Sequence, residues 1–375
     1  MDKEKVSQNF RSAVGGSDPI DGILIFLCRE ETVKKISKHW HYVGLGLSDI
    51  HSTEKSQTEK TSLELTFRLK YAEESQPPVW PLNILYSLSE YMLESGNLIR
   101  VGDHIPWKRS IDPINPNSRI RNFIVAEDPI LKTLNLPSGP MQFRQLVGIT
   151  DDELRAAQNY KGKSLLTMLT QDQSLSGAHL ITDVLRNVSI FETNPKYGQV
   201  LQSLIDNEGS KFAHVSANCR WIDTIGSSHL EAFNCATDDE DDEIENLLEE
   251  VKIEFDPSAA QLLPNIVARG RLPFQKYLAF QSLQGQVIVF IPENLKSKSQ
   301  TCIVSKSRRL CSSGKTLQIY CDKEFINQLS TKLDSLSNSE LSELKFPMHF
   351  NLDNPNVAIE VLPTRYFLGI VETTF

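Results

Sequence analysis

Residues 77–107, PPVWPLNILYSLSEYMLESGNLIRVGDHIPW, constrain the fold of this chain more tightly than any other stretch. Pro77, Pro78 and Pro81 each fix their own φ and disfavour helix in the preceding residue, so the chain enters extended. The first helical position needs no N–H, so Pro81 can open a helix. Leu82, Leu85, Leu88 (or Ser89) and Met92 recur at spacings of three and four, which predicts one apolar face. Ile84, Leu88 and Tyr91 form an adjoining stripe. Gly96 is placed to stop the helix in the left-handed conformation. Leu98–Val101 then predicts a short strand, and Gly102-Asp103-His104 the turn after it. Tyr91 on the helix and the Asp103-His104 pair are candidates for a surface that touches a partner.

A chain of 375 residues is long enough for two domains with cores of their own. No apolar run approaches the length of a membrane span. The run Ile23–Cys28 is too short, and too far in, for a signal peptide. Cysteines 28, 219, 235, 302, 311 and 321 lack CxxC pairing, so reduced, structural thiols are expected. Net charge is −9, and residues 238–250, DDEDDEIENLLEE, account for all of it with nine carboxylates. The remainder is neutral and shows no basic stripe with interleaved aromatics, which argues against direct nucleic-acid binding.

Residues 1–12 are polar, and Gly15–Pro19 predicts a turn. Ile20–Cys28 and His39–Ser48 predict strands, with a polar loop over residues 49–62. Leu63–Lys70 alternates strictly, which predicts a strand with one wet face. Further strands are expected at Ile120–Ala126 and Met141–Ile149. Thr150 and Glu153 form a capping box at a helix start. Lys161-Gly162-Lys163 breaks that helix, and Ser164–Leu169 begins another. His179–Asp183 and Ser189–Phe191 predict short strands, and Tyr197–Ile205 a helix. Residues 206–211, DNEGSK, mark a boundary, giving domains 1–209 and 210–375, with an acidic loop at 236–250. In the second domain His214–Trp221, Val251–Phe255, Asn265–Arg271, Gln286–Ile291, Leu317–Tyr320 and Val357–Val361 predict strands, and Asp322–Leu333 a helix. Strands and helices mix without regular alternation, so the fold class is α+β: two domains, each a mixed or antiparallel sheet with flanking helices.

No catalytic constellation emerges. The sequence lacks G-x-S-x-G, H-E-x-x-H and a phosphate loop, since Gly314-Lys315-Thr316 has no upstream glycine. Gly44-x-Gly46 has no third glycine. His39-x-His41 puts two imidazoles on one strand face, but no further ligand set completes a metal site, and aromatic strand packing is the plainer reading. Asp103 and His104 are adjacent on extended chain and point apart, which argues against an acid–base pair. Arg269-Gly270-Arg271-Leu272 reads as strand-end charge rather than a phosphate clamp. From the residues alone this is a two-domain α+β protein with no cofactor and no visible catalytic apparatus.

The segments HWHYVGLGLSDI, LELTFRLK, PPVWPLNILYSLSEYMLES, GDHIPW, AEDP, VGITDDELRAAQ, LITD followed by IFE, VSANCRW and RGRL, in this order, resemble the Suppressor of fused family. The resemblance implies a two-domain adaptor of cytoplasm and nucleus that restrains Hedgehog signalling. It implies binding of Gli/Ci zinc-finger transcription factors through their Ser-Tyr-Gly-His-Leu segment, added as a β-strand in a cleft between the domains. A Fused-type kinase and a kinesin-like scaffold are further implied partners. It also implies an N-terminal segment packing on the first domain ahead of where this sequence starts, and a long insertion that is reduced here to the acidic run.

By the same resemblance Asp103 matches the carboxylate that engages the motif histidine, and Tyr91 a tyrosine lining the groove. Val215 and Ala217 match the strand that pairs with the peptide, and Leu262 or Leu263 an apolar wall. Bacterial proteins share the first domain without this pathway, so fold alone does not fix function. Two alternatives stand beside the adaptor: an enzyme or immunity-type protein using His39, His41 or His104, and a scaffold that binds a kinase without touching transcription factors.

Overall fold

The computed structural model describes residues 10–11, 20–33, 35–47, 62–137, 139–175, 177–225, 245–295, 302–337 and 344–367. The loop expected at 49–62, apart from Ser62, lies outside the described residues. So do the turn at Gly15–Pro19 and the acidic run up to Ile244. The chain forms two compact units, residues 1–203 and 204–375.

The first unit is built on an eight-stranded mixed sheet. Its elements are β1 (Phe10–Arg11), β2 (Gly22–Cys28), β3 (His39–Leu45), β4 (Ser62–Lys70), helix α1 (Trp80–Ser95), β5 (His104–Pro106), β6 (Asn122–Glu127), β7 (Leu134–Leu136) and β8 (Gly139–Ile149). The strand order is β1-β2-β3-β4-β8-β6-β5, with β7 paired to β8. Helices α2 (Asp151–Asn159), α3 (Gly162–Gln171), α4 (Ile190–Thr193) and α5 (Pro195–Glu208) follow. The division between units falls within α5, ahead of the boundary expected after residue 209.

Helix α1 forms as its sequence dictates. Pro81 stands in its first turn, and Gly96 ends it at φ 67°, its N–H donating to Met92 O at 3.0 Å. Leu82, Ile84, Leu85, Leu88 and Met92 are buried against Leu65, Phe67 and Leu69 of β4 and Phe123 and Val125 of β6. The strand expected at Leu98–Val101 is absent, and the strand begins at His104 instead. Asp103 N–H donates to Arg100 O at 2.9 Å, so those residues form the turn before the strand, not the strand before the turn.

β4 corrects a second expectation. Every residue from Ser62 to Leu69 is buried, so the strand has no wet face. The alternation is real, but the polar residues are covered by other polar groups. Leu65, Phe67 and Leu69 face α1, while Thr66 and Arg68 face Asp128, Gln145 and the histidines of β3.

Beyond β8 the capping box forms: Thr150 Oγ1 accepts from Glu153 N, and Glu153 Oε2 accepts from Thr150 N at 3.0 Å. Gly162 begins α3 rather than merely ending α2. The strand expected at Ser189–Phe191 is helix α4, opened by a second capping box between Ser189 and Glu192. At 179–183 only Thr182 bridges to Leu69.

The second unit carries two sheets rather than one. It contains β9 (His214–Ser216), β10 (Cys219–Asp223), β11 (Glu245–Leu247), β12 (Glu250–Phe255), a π-helix (Leu263–Arg271), β13 (Leu278–Gln281), β14 (Val287–Pro292), β15 (Leu310–Ser313), β16 (Thr316–Cys321), α6 (Lys323–Lys332), β17 (Met348–Leu352) and β18 (Asn356–Val361). One sheet has the order β10-β12-β18-β17 and the other β11-β15-β16-β14-β13-β9. Both contribute to one core: Ile253 and Phe255 from the first, Phe280, Ile288 and Phe290 from the second, with Phe325 of α6 and Ile266 of the π-helix. The Phe255 and Phe280 rings meet edge to face at 5.0 Å.

Three expectations change here. His214–Trp221 is two strands in different sheets, turned at Ala217-Asn218, where Asn218 O accepts from Asp256 N at 2.9 Å. Asn265–Arg271 is helical: Pro264 suits a helix start, and Leu263, Ile266 and Val267 fill the core. The end of the acidic run enters β11 and β12 instead of remaining a loop.

Candidate functional site

Asp103 is exposed, and its backbone is held firmly. Gly102 N–H donates to Val125 O and Val125 N–H to Asp103 O, both at 2.8 Å, so the turn is tied to β6. The Asp103 carboxylate accepts from Arg100 N at 2.7 Å across the turn. Gly102 stands at φ 94° and packs on the start of α3. A Cβ on Gly162 would lie 1.9 Å from Gly102 O. Two glycines therefore let a helix start and a turn meet backbone to backbone, which sets where Asp103 stands. Burial lowers the His104 pKa to about 4, so this imidazole is neutral.

Tyr91 is half-buried and packs against the α1 core. Asn97 Nδ2 donates to its hydroxyl oxygen at 3.2 Å, and Ser95 Oγ donates to its carbonyl at 2.6 Å. The residues just past the helix stop thus orient the phenol. Tyr91 and Asp103 both belong to the first unit.

The other four candidates belong to the second unit. β9 is the terminal strand of its sheet, parallel to β13, with Val215 opposite Phe280. Ala279 N–H donates to Ala213 O at 3.0 Å and Ala217 N–H to Gln281 O at 2.9 Å. Residues 213, 215 and 217 thus bond toward β13, and the backbone groups of 214 and 216 point the other way, as alternation along a strand requires. Among the described residues no strand pairs on that side. Val215 and Ala217 are half-buried against the core. Leu262 and Leu263 enter the π-helix; Leu263 is fully buried and Leu262 is 8% exposed, so only Leu262 has surface to offer.

The histidines weighed as metal or catalytic groups are engaged elsewhere. His39 Nδ1 donates to Ser37 O at 2.8 Å, and its Nε2 accepts from Arg68 Nη1 at 3.1 Å. Burial and the Arg68 guanidinium hold His39 neutral, with its pKa at about 3. An imidazole with both nitrogens occupied has no lone pair to give a metal. His41 Nε2 lies 3.1 Å from Asp128 Oδ2. Asp128 also accepts from Arg68 at 2.8 Å, Thr66 Oγ1 at 2.9 Å, and the amides of Ile130 and Leu131 at 2.9 and 2.8 Å. These bonds hold its carboxyl well below the usual carboxylate range, against the opposing effect of burial. Arg68 Nε donates to Gln145 at 3.0 Å, and Gln145 donates to the carbonyls of His179 and Leu180. Sequence reading missed this network because its members are far apart in the chain. The only signal was the polar alternation of β4.

Three comparisons bear on these features. The family model for Suppressor of fused protein matches residues 16–187, and the model described as Suppressor of Fused Gli/Ci N terminal binding domain matches residues 237–361. This chain belongs to the Suppressor of fused family. Suppressor of fused homologs of Homo sapiens and Mus musculus are each 26% identical to it over 427 residues, covering 94% of this chain and 86% of theirs. The crystal structure of Drosophila Suppressor of Fused has the same fold, with TM-score 0.66 at 24% identity over 93% of this chain and 90% of that one. A Sufu-Fu complex structure matches at 33% identity and TM-score 0.49 over 52% of this chain and 89% of that one. The two family models fall on opposite sides of the division between units. Several segments that identify the family are structural here. AEDP carries Asp128, LITD carries the Thr182 bridge to β4, and VGITDDELRAAQ carries the Thr150–Glu153 box.

Proposed function

We propose that this protein is a negative regulator of Hedgehog signalling that binds and sequesters Gli/Ci-type zinc-finger transcription factors. It takes up their Ser-Tyr-Gly-His-Leu segment as an added β-strand. The observation that carries this reading is the position of β9, a terminal strand with Val215 and Ala217 on the row bonded to β13. An extended peptide can continue such a sheet through backbone hydrogen bonds, while side-chain pockets set the choice of sequence. The match of residues 237–361 to a domain described as Gli/Ci-binding supports the same reading.

Each unit has its own task in this proposal. In the first, Asp103 offers a carboxylate on a rigid turn, suited to an imidazole N–H, and Tyr91 a phenol oriented by Asn97. In the second, β9 offers its edge and Leu262 an apolar contact. The protein acts in cytoplasm and nucleus as an adaptor without chemistry of its own. His39 and His41 are committed to the buried network and His104 is held neutral by burial, which supports that view. Among the described residues no helix is long and apolar enough to cross a membrane. A Fused-type kinase and a kinesin-like scaffold are further proposed partners.

Calorimetric titration of a synthetic peptide containing Ser-Tyr-Gly-His-Leu tests the proposal. Ordering a short segment costs free energy, so saturable binding with Kd on the order of micromolar is expected. Asp103→Arg should abolish it while leaving the protein folded, with at most a small drop in the thermal midpoint from loss of the carboxylate's bond to Arg100 N. Absence of binding to folded wild-type protein, or equal binding by the variant, would overturn the assignment.

A further inference from the structure

A cavity of about 740 Å³ opens in the first unit beside the gap between the end of β6 and the start of β7. Its size lies within the usual range of small-molecule sites, roughly 300–1,000 Å³. Leu131, Phe143, Leu166 and Leu180 give it apolar walls, and Arg144 lines it. We propose that this cavity binds a small amphipathic organic anion, with Arg144 holding the anionic group.

Arg144 is the residue that points to a ligand. Its guanidinium is partly withdrawn from solvent, and burial lowers its pKa. It donates to Gln142 Oε1, but its Nε is buried and has no hydrogen-bond partner. Among the described residues it forms no direct ion pair; Glu127, opposite it in the β6–β8 register, acts on it at longer range, its charge opposing the effect of burial. A half-buried guanidinium with one buried donor unmet costs stability, and such a donor is usually met by a water or a ligand. A planar guanidinium fits a carboxylate, sulfonate or phosphate better than it fits a neutral acceptor.

The charge around the cavity points the same way. Its charged lining residues are Glu127, Asp128, Lys132 and Arg144. Asp128 is already neutralised by Arg68 and capped by two backbone amides. Glu127 offsets one of the two remaining cations, which leaves a net positive site. Thr167 and Thr170 on α3 donate their hydroxyls back to Lys163 O and Leu166 O, so their hydrogens are engaged within the helix. The volume far exceeds that of one water, about 30 Å³ in the liquid, so an apolar body has room beside the anionic head. None of these residues is among those proposed for the peptide site, so the two proposals stand or fall separately.

The test uses the full chain and 8-anilinonaphthalene-1-sulfonate, which joins a sulfonate to aromatic rings. A single saturable site with enhanced fluorescence is expected. Arg144→Gln should weaken binding at least tenfold, and Thr170→Trp, at an exposed position on the cavity wall, should block it. Thermal melts of both variants confirm that they are folded. N-phenyl-1-naphthylamine, of similar ring volume without the sulfonate, should bind wild type more weakly and be indifferent to Arg144→Gln. Equal affinity of the two probes, unchanged binding by either variant, or no saturable site in wild type would overturn the proposal.

Discussion

Asp128→Ala should unfold the first unit more readily than any exposed substitution in it. The carboxylate accepts from Arg68 Nη2 at 2.8 and 3.1 Å, Thr66 Oγ1 at 2.9 Å, and the amides of Ile130 and Leu131, and it lies 3.1 Å from His41 Nε2. Asp128 and Arg68 side chains are 0% and 1% exposed. Removing the anion leaves a buried guanidinium without a counter-charge, which costs about 3–5 kcal/mol. The amides at 130 and 131 lose their acceptor, but they lie in an exposed loop where water can replace it, so little is added there. A total of about 4 kcal/mol is therefore expected, against a global stability of roughly 5–15 kcal/mol. Equilibrium urea unfolding, followed by Trp40 and Trp80 fluorescence, would measure it. Adding Arg68→Met should recover much of the loss, because the stranded charge is then gone. A cost under about 1 kcal/mol for Asp128→Ala, or a double variant less stable than the single one, would refute the argument that an uncompensated charge dominates.

Acid should destabilise the first unit from about pH 6.5 downward. His39 and His104 have folded pKa values lowered to about 3 and 4, so below 6.5 the unfolded chain binds protons that the folded chain refuses. Each costs up to about 1.4 kcal/mol per pH unit. Asp128, depressed when folded, adds a loss in the same direction as pH falls through the carboxylate range; urea midpoints from pH 7 to 4 should fall, with a shallower slope in His104→Phe. Gly162→Ala should force the α3 start away from Gly102, where the new Cβ would sit 1.9 Å from a carbonyl oxygen; lower thermal stability and weaker peptide binding are expected, whereas wild-type values in both would show that the contact does not position Asp103. Glu153→Ala should cost about 3–5 kcal/mol in urea unfolding. Its carboxylate receives Arg186 at 2.5 and 2.7 Å and the backbone amides of Thr150 and Ile190, joining two helix starts to one buried charge.

The sequence by itself determined the elements whose cause is local. Helix α1 follows from Pro81, a three-and-four apolar repeat and Gly96, all within one turn or two of the bonds they control. The Thr150–Glu153 box, and the strands at His39, Val251 and Val357, are legible for the same reason. The candidate site was legible only through resemblance, because a turn carboxylate and an edge strand have no periodicity to announce them.

Tertiary structure decided the rest. Whether the polar side of β4 meets water or protein depends on Asp128 and Gln145, 60 and 77 residues from Arg68 along the chain. A pattern of period two fixes which side chains share a face, never what covers that face. The β-branched pair Ile266-Val267 suggests a strand, yet in the π-helix Ile266, Val267 and Leu263 all reach one core. His214–Trp221 is continuous in its apolar character but divides between two sheets, because β13 claims Val215 and β12 claims Cys219. The same division makes β9 a sheet edge. Edges, burial of polar faces and the placing of Asp103 by a glycine some sixty residues downstream arise from contacts between distant segments, and only the folded chain brings those segments together.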